Sequence, residues 1–174
     1  MTKLKLDLVC QVAVVVPDLE KGLEQVRTLF GIDESSVSFG ESLELIRSGR
    51  LEPQIYNGVR GEYAYHQVNF FMGGMDIEMF APVEGSTGDP ISDFLKEHGP
   101  GIHHLNIRLA NRAEGLRFLE EELKKVPLLE GHFLGRHFAY FDMREELGIT
   151  FEVGSRVVGP RASMAQAEIT ALLQ

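Results

Sequence analysis

The sequence predicts an α+β fold in which two βαβββ modules pair about an approximate two-fold axis and share one curved sheet. Three observations carry this. Gln11-Val-Ala-Val, followed by Asp18 and Gly22-Leu23, matches His104-Leu-Asn-Ile, followed by Asn111 and Gly115-Leu116, position for position and without a gap. His66-Gln-Val-Asn-Phe-Phe matches His137-Phe-Ala-Tyr-Phe-Asp, and Ile77-Glu78-Met79 matches Phe151-Glu152-Val153. Each half therefore reads as a strand, a helix and a closing hairpin, with one more strand expected between. The first module spans residues 1–98, with an insert at 32–65 and a linker helix at 90–98. The second spans 99–154, and residues 155–174 form a tail expected to be helical.

The elements follow in order. Leu6 to Val16 is a strand rich in β-branched residues, ended by Pro17. Asp18 caps a helix whose apolar positions, Leu19, Leu23, Val26 and Phe30, recur at helical spacing until Gly31 stops it. In the 32–65 insert, Ser-, Gly- and charge-rich pieces alternate with short apolar ones, which predicts one or two short strands and a long loop. His66–Phe71 and Met75–Phe80 form a hairpin across Gly73-Gly74. Asp89-Pro90 opens a short helix that runs to about His98. Gly99-Pro-Gly101 then turns the chain into a strand over 103–110. Asn111 caps a helix carrying Ala113, Leu116, Leu119 and Leu123 on one face. A second hairpin joins a strand ending at Met143 to Ile149–Val153.

Composition narrows the function. The chain has 174 residues, 44% of them hydrophobic, enough for a sizeable core. A net charge of -9 argues against nucleic acid and anionic membrane surfaces as partners, but not against a small anion that needs only local positive charge. One cysteine, Cys10, excludes an intrachain disulfide framework and a Cys-rich zinc site, and it suits a reducing cytosol. No apolar run approaches membrane-spanning length and the chain start lacks a signal-peptide layout, so a soluble, cytoplasmic protein is expected.

The repeat gives the polar residues a geometry. It makes Gln11 equivalent to His104 and Glu78 equivalent to Glu152. All four lie on strands with apolar residues at alternate positions, so each can face the concave side of the sheet. Two carboxylates, an imidazole and an amide form a sulfur-free ligand set suited to an octahedral divalent ion with positions left for water or substrate. The blander reading is a set of polar residues lining a wet groove. By alternation His103 and Cys10 are expected on the opposite face from their neighbours His104 and Gln11, in structural roles.

These residues also carry a resemblance. Gln11-Val-Ala-Val-Val-Val-Pro-Asp-Leu-Glu, Ile77-Glu-Met-Phe-Ala-Pro, Gly99-Pro-Gly-Ile-His-His-Leu, Phe138-Ala-Tyr-Phe-Asp-Met and Leu147-Gly-Ile-Thr-Phe-Glu resemble the vicinal oxygen chelate superfamily. That superfamily includes glyoxalase I, methylmalonyl-CoA epimerase, extradiol dioxygenases and bleomycin-resistance proteins, and the resemblance is strongest to epimerase-like bacterial members. It implies a half-open barrel and places the superfamily's four ligand positions on Gln11, Glu78, His104 and Glu152. Gln11 is a departure, because epimerases usually carry histidine there; some glyoxalases have glutamine. The epimerases' catalytic glutamate has no aligned match, with Glu62 and Glu44 the nearest carboxylates.

The resemblance implies a metal-dependent isomerase or lyase that removes a proton next to a carbonyl, with a divalent ion (Zn, Ni, Co, Mn or Mg) stabilising the enediolate. Glu152 would serve as ligand and base. Arg60, Arg108 or Arg136 would hold an anionic or acyl-CoA substrate, and a homodimer would cover the sheet's edges. The alternative is a metal-free, drug-sequestering protein whose groove is lined by Phe70, Phe71, Phe80, Tyr140 and Phe141.

Overall fold

The computed structural model describes residues 3–154; the expected tail helix lies outside them. One sheet of ten strands organises the chain, in the order β2-β5-β6-β1-β7-β10-β9-β8-β3-β4. The first module contributes β1 (Leu6–Val15), β2 (Asp33–Glu41), β5 (Tyr65–Met72) and β6 (Met75–Pro82). The second contributes β7 (Gly101–Leu109), β8 (Leu129–Phe133), β9 (Arg136–Met143) and β10 (Ile149–Val153). The outer strands β2 and β4 (Val59–Gly61) do not pair, so the barrel stays open.

The two-fold axis can be read from the register. Antiparallel β1 and β7 meet at Val12↔Leu105, flanked by Gln11↔Asn106 and Ala13↔His104. The repeat exchanges these last two pairs. Parallel pairing then repeats on both flanks: Ala13 faces Glu78 across β1 and β6, and Asn106 faces Glu152 across β7 and β10. The halves are thus related by the symmetry the sequence implied.

Each module lays one helix on the convex face, and the local chemistry is duplicated. In α1 (Leu19–Leu29) Asp18 accepts a hydrogen bond from the Lys21 backbone N–H at 3.0 Å. In α4 (Arg112–Arg117) Asn111 accepts from the Glu114 N–H at 3.2 Å. A Cβ on Gly22 would lie 2.9 Å from Met79 Sδ, and one on Gly115 would clash with Leu109 Cδ1. The paired glycines therefore let each helix approach the sheet closely. Leu23 of α1 packs with Val68, Phe70, Ile77 and Met79, and on the α4 side Leu119 packs with Ile107, Leu109, Ala139, Phe141 and Val153. After α4 the chain widens into a π-type turn over Phe118–Glu122, so the expected continuous helix is shorter than its apolar spacing suggested.

On the concave face Ala13, Val15, Tyr65 and Phe80 pack under Ile91 of α3 (Pro90–His98). Asp89 caps that helix by accepting from the N–H groups of Ile91 and Ser92. The 32–65 insert is more ordered than the expected long loop. It holds the edge strand β2, the short helix α2 (Ser42–Arg47) and the hairpin of β3 (Gln54–Tyr56) with β4. That hairpin crosses to the other module, where Ile55 pairs with Glu130 and Tyr56 with Leu129 of β8. Tyr56 Oη also donates to Asp93 Oδ2 of α3 at 3.1 Å. Among the described residues no helix is long and apolar enough to cross a membrane.

Candidate metal centre

The site forms where two rows of the sheet cross its centre. One row runs Glu78, Ala13, His104, Thr150, Asp142 over β6, β1, β7, β10 and β9. The next runs Asp76, Gln11, Asn106, Glu152, Tyr140 over the same strands. Partners in register share a face, so the concave curve draws these side chains together. One ligand atom from each of Glu78, His104 and Glu152 lies within 4.8 Å of the other two. His104 Nε2 is 3.1 Å from Glu152 Oε2 and 3.9 Å from Glu78 Oε2. Gln11, the fourth candidate, is buried in the row of Glu152, one pleat from Ala13, the partner of His104.

This fully buried nitrogen nevertheless has no hydrogen-bond partner. Leaving such a group unsatisfied costs about 1–3 kcal/mol, which marks Nε2 as a position where a further partner would be stabilising. Burial pushes the His104 pKa down to about 3, which keeps the ring neutral, the form that ligates metal. An imidazole with two carboxylates is a donor set that divalent ions take up readily. The carboxylates have neighbours of their own. Asn69 Nδ2 lies 3.4 Å from Glu78 Oε1. Glu152 Oε1 sits beside the Asn106 amide, both about 3.1 Å from the point where a Cβ on Gly154 would stand.

The expectation for His103 is overturned. The β1–β7 register slips by one residue between Ala13 and Val14, leaving His103 as the extra residue of a β-bulge. Alternation breaks there, and both histidines are buried, with Nδ1 of His103 2.9 Å from Nδ1 of His104. The His103 ring packs against Phe94 at 4.8 Å and lies near Tyr140 and Phe80. A matching slip between Val9 and Gln11 makes Cys10, also buried, the extra residue of β1.

Other expected residues divide. The Tyr140 ring lies tilted 4.4 Å from the His104 ring and Phe80 lies 6.3 Å from it, so both belong to the site. Phe70 and Phe141 instead fill the cores beneath the helices and line no groove. Burial, with Glu152 and Glu78 nearby, holds the Tyr140 phenol well above its ordinary pKa, so it keeps its proton. Arg108 is engaged by Asp7 at 2.7 Å, and Arg60 and Arg136 are exposed. Glu44 and Glu62 are exposed as well. Asp76 and Thr150 escaped the sequence reading, although alternation from Glu78 and Glu152 points to both, and Asn106 lies on the face of His104 as alternation along their strand expects.

Comparison with known proteins agrees with this geometry. A sequence profile described as the Glyoxalase/Bleomycin resistance protein/Dioxygenase superfamily matches residues 10–140. No curated protein matches the chain in sequence. Methylmalonyl-CoA epimerase from Mycobacterium tuberculosis shares the fold with a TM-score of 0.58 at 15% identity, covering 95% of this chain and 96% of that one. A variant of the Streptomyces coelicolor methylmalonyl-CoA epimerase, in complex with 2-nitronate-propionyl-CoA, gives 0.56 at 13% identity over 90% and 100%. A hypothetical protein from Bacillus halodurans gives 0.52 at 17% identity over 87% and 96%.

Proposed function

Given that this chain belongs to the Glyoxalase/Bleomycin resistance protein/Dioxygenase superfamily, we propose that it is a metal-dependent isomerase or lyase that removes a proton next to a carbonyl of a small anionic or acyl-CoA substrate. The observation that carries this reading is the convergence of Glu78, His104 and Glu152 around a buried, unpartnered His104 Nε2. The superfamily commonly binds a divalent ion, and the fold neighbours with acyl-CoA ligands point to the substrate class.

Glu78, His104 and Glu152 would hold the ion, and Gln11 would supply a neutral fourth ligand from the position equivalent to His104. When bound, a divalent ion provides Lewis-acid stabilisation of negative charge on a substrate oxygen. Glu152 takes the proton from the substrate carbon on a carboxylate oxygen, where its place between His104 and Asn106 fixes it. Tyr140, which keeps its proton, donates toward negative charge developing in the site. Ala13, Phe80 and Ile91 pack the α3 end of the concave face and keep water from it.

The test is metal content of the purified protein, followed by exchange of substrate α-protons in D2O followed by NMR over a panel of acyl-CoA thioesters and 2-hydroxy or 2-oxo acids. About one tightly held divalent ion per chain and metal-dependent exchange are expected. Failure to bind any divalent ion in a titration would leave the metal-free binding protein as the better reading.

A further inference from the structure

We propose that His103 is a positioning residue for His104: it accepts the His104 Nδ1–H and thereby fixes the tautomer that leaves the Nε2 lone pair facing Glu78 and Glu152. This rests on the metal reading above.

The two Nδ1 atoms are 2.9 Å apart, a hydrogen-bond distance, so one of them carries the proton and the other accepts it. His104 can ligate through Nε2 only with its proton on Nδ1. His103 Nδ1 is the acceptor placed there. Metal-bound histidines generally donate their second ring N–H to a fixed acceptor, which sets ring orientation and raises ligand basicity. Here that acceptor is another imidazole, brought to the same side of the strand by the bulge. Phe94 and Tyr140 clamp the His103 ring at 4.8 and 5.9 Å, so the acceptor does not swing.

The pseudo-symmetric half provides an internal control. Its bulge carries Cys10 beside Gln11. A glutamine amide has no tautomer to select, and the residue at the His103 position there is not an imidazole. The second histidine occurs only where an imidazole ligand has to be set.

The experiment uses full-length protein labelled with 15N in histidine and loaded with zinc, which is diamagnetic. In wild type, ring-nitrogen NMR should show His104 protonated at Nδ1 and His103 Nδ1 unprotonated and accepting. His103→Phe should lose that proton signal and bind zinc about 10- to 100-fold more weakly, the usual range for removing such a partner. His103→Asn, whose side-chain oxygen can still accept, should recover most of the affinity. An unprotonated His104 Nδ1 in the zinc form, or unchanged zinc affinity in a folded His103→Phe, overturns the proposal while leaving the metal centre standing. Absence of zinc binding by wild type overturns the metal centre and this inference together. The wild-type tautomer measurement decides the matter even if His103→Phe does not fold.

Discussion

The two halves of the site share one architecture and differ at nearly every side chain that touches it. Both bring a glutamate in from the strand parallel to the central pair, Glu78 on β6 and Glu152 on β10. Around the glutamates the pairs diverge: Gln11 against His104, Cys10 against His103, Ala13 against Asn106, Asp76 against Thr150, Asn69 against Tyr140, Phe80 against Gly154. The first half packs an apolar plug, with Ala13 and Phe80 buried under α3. The second half puts an amide and a glycine in those places, with Glu152 Oε1 and the Asn106 amide drawn up to where a Cβ on Gly154 would stand. The backbone symmetry builds the site, and under the proposed function the side chains that break it assign Glu78 to a holding half and Glu152 to a reacting half. That contrast explains why Glu152, rather than Glu78, is assigned the proton transfer.

The largest effect should come from removing the only imidazole among the ligands. His104→Ala leaves two carboxylates and an amide, so affinity for zinc, cobalt or nickel should fall by at least about 100-fold while weak magnesium or calcium binding survives. Isothermal titration of the metal-free variant beside wild type measures this, with folding checked by circular dichroism. Equal binding by both proteins would remove His104 from the centre.

Copying the first half's residue into the second gives a test by pH. In the metal-free protein burial holds His104 near 3, against about 6.5 when unfolded. Between those values the unfolded chain takes up a proton that the folded chain refuses. Stability from this residue is therefore full above pH 6.5 and is lost as the pH falls toward 3, with a limiting slope of about 1.4 kcal/mol per pH unit. His104→Gln, which does not titrate, should flatten that part of the denaturation profile. A slope of opposite sign in wild type would show Glu78 and Glu152 outweighing burial.

The reverse exchange should strengthen the site more modestly. Gln11→His adds a second imidazole at the equivalent position, in a row already facing the concave side. Zinc or cobalt affinity should rise about 10-fold, following the preference of these ions for nitrogen. A cobalt-loaded sample would show the change in its visible spectrum. An unaltered spectrum and affinity would mean that Gln11 does not reach the ion.

How much of this was legible follows from how local each cause is. The caps Asp18 and Asn111, the close-packing glycines Gly22 and Gly115 and the two glutamates all lie on short repeated stretches, so the chain displays them directly. The bulges do not show. Period-two alternation puts His103 on the helix side, and only the slipped β1–β7 register, a contact between distant segments, turns it inward. Short strands were expected in the 32–65 insert, but the place and partner of the β3–β4 hairpin were hidden for a related reason: its three-residue strands are held by β8 of the other module and by the Tyr56–Asp93 hydrogen bond. Phe70 and Phe141 looked like groove aromatics because the sequence does not say which face of a fully apolar strand the helix covers.

The smallest expected effect is the one that bears most directly on the division of labour. Gly154 occupies the position that Phe80 holds in the first half, and a Cβ there would stand 3.1 Å from both Glu152 Oε1 and Asn106 Oδ1. Those contacts are tight, but they are to side chains that can give by a few tenths of an ångström. Gly154→Ala should therefore leave the melting temperature nearly unchanged and weaken metal binding only a few-fold, since Glu152 can keep its Oε2 toward His104. Turnover should suffer more than binding, because the displaced oxygen and the amide beside it define the space where a substrate's proton meets Glu152. Phe80→Ala is the matched control. It opens the apolar plug, so it should cost about 3–5 kcal/mol of stability, as large-to-small changes of buried aromatics do. If Gly154→Ala lowered stability and Phe80→Ala lowered only turnover, the assignment of holding and reacting halves would have to be exchanged.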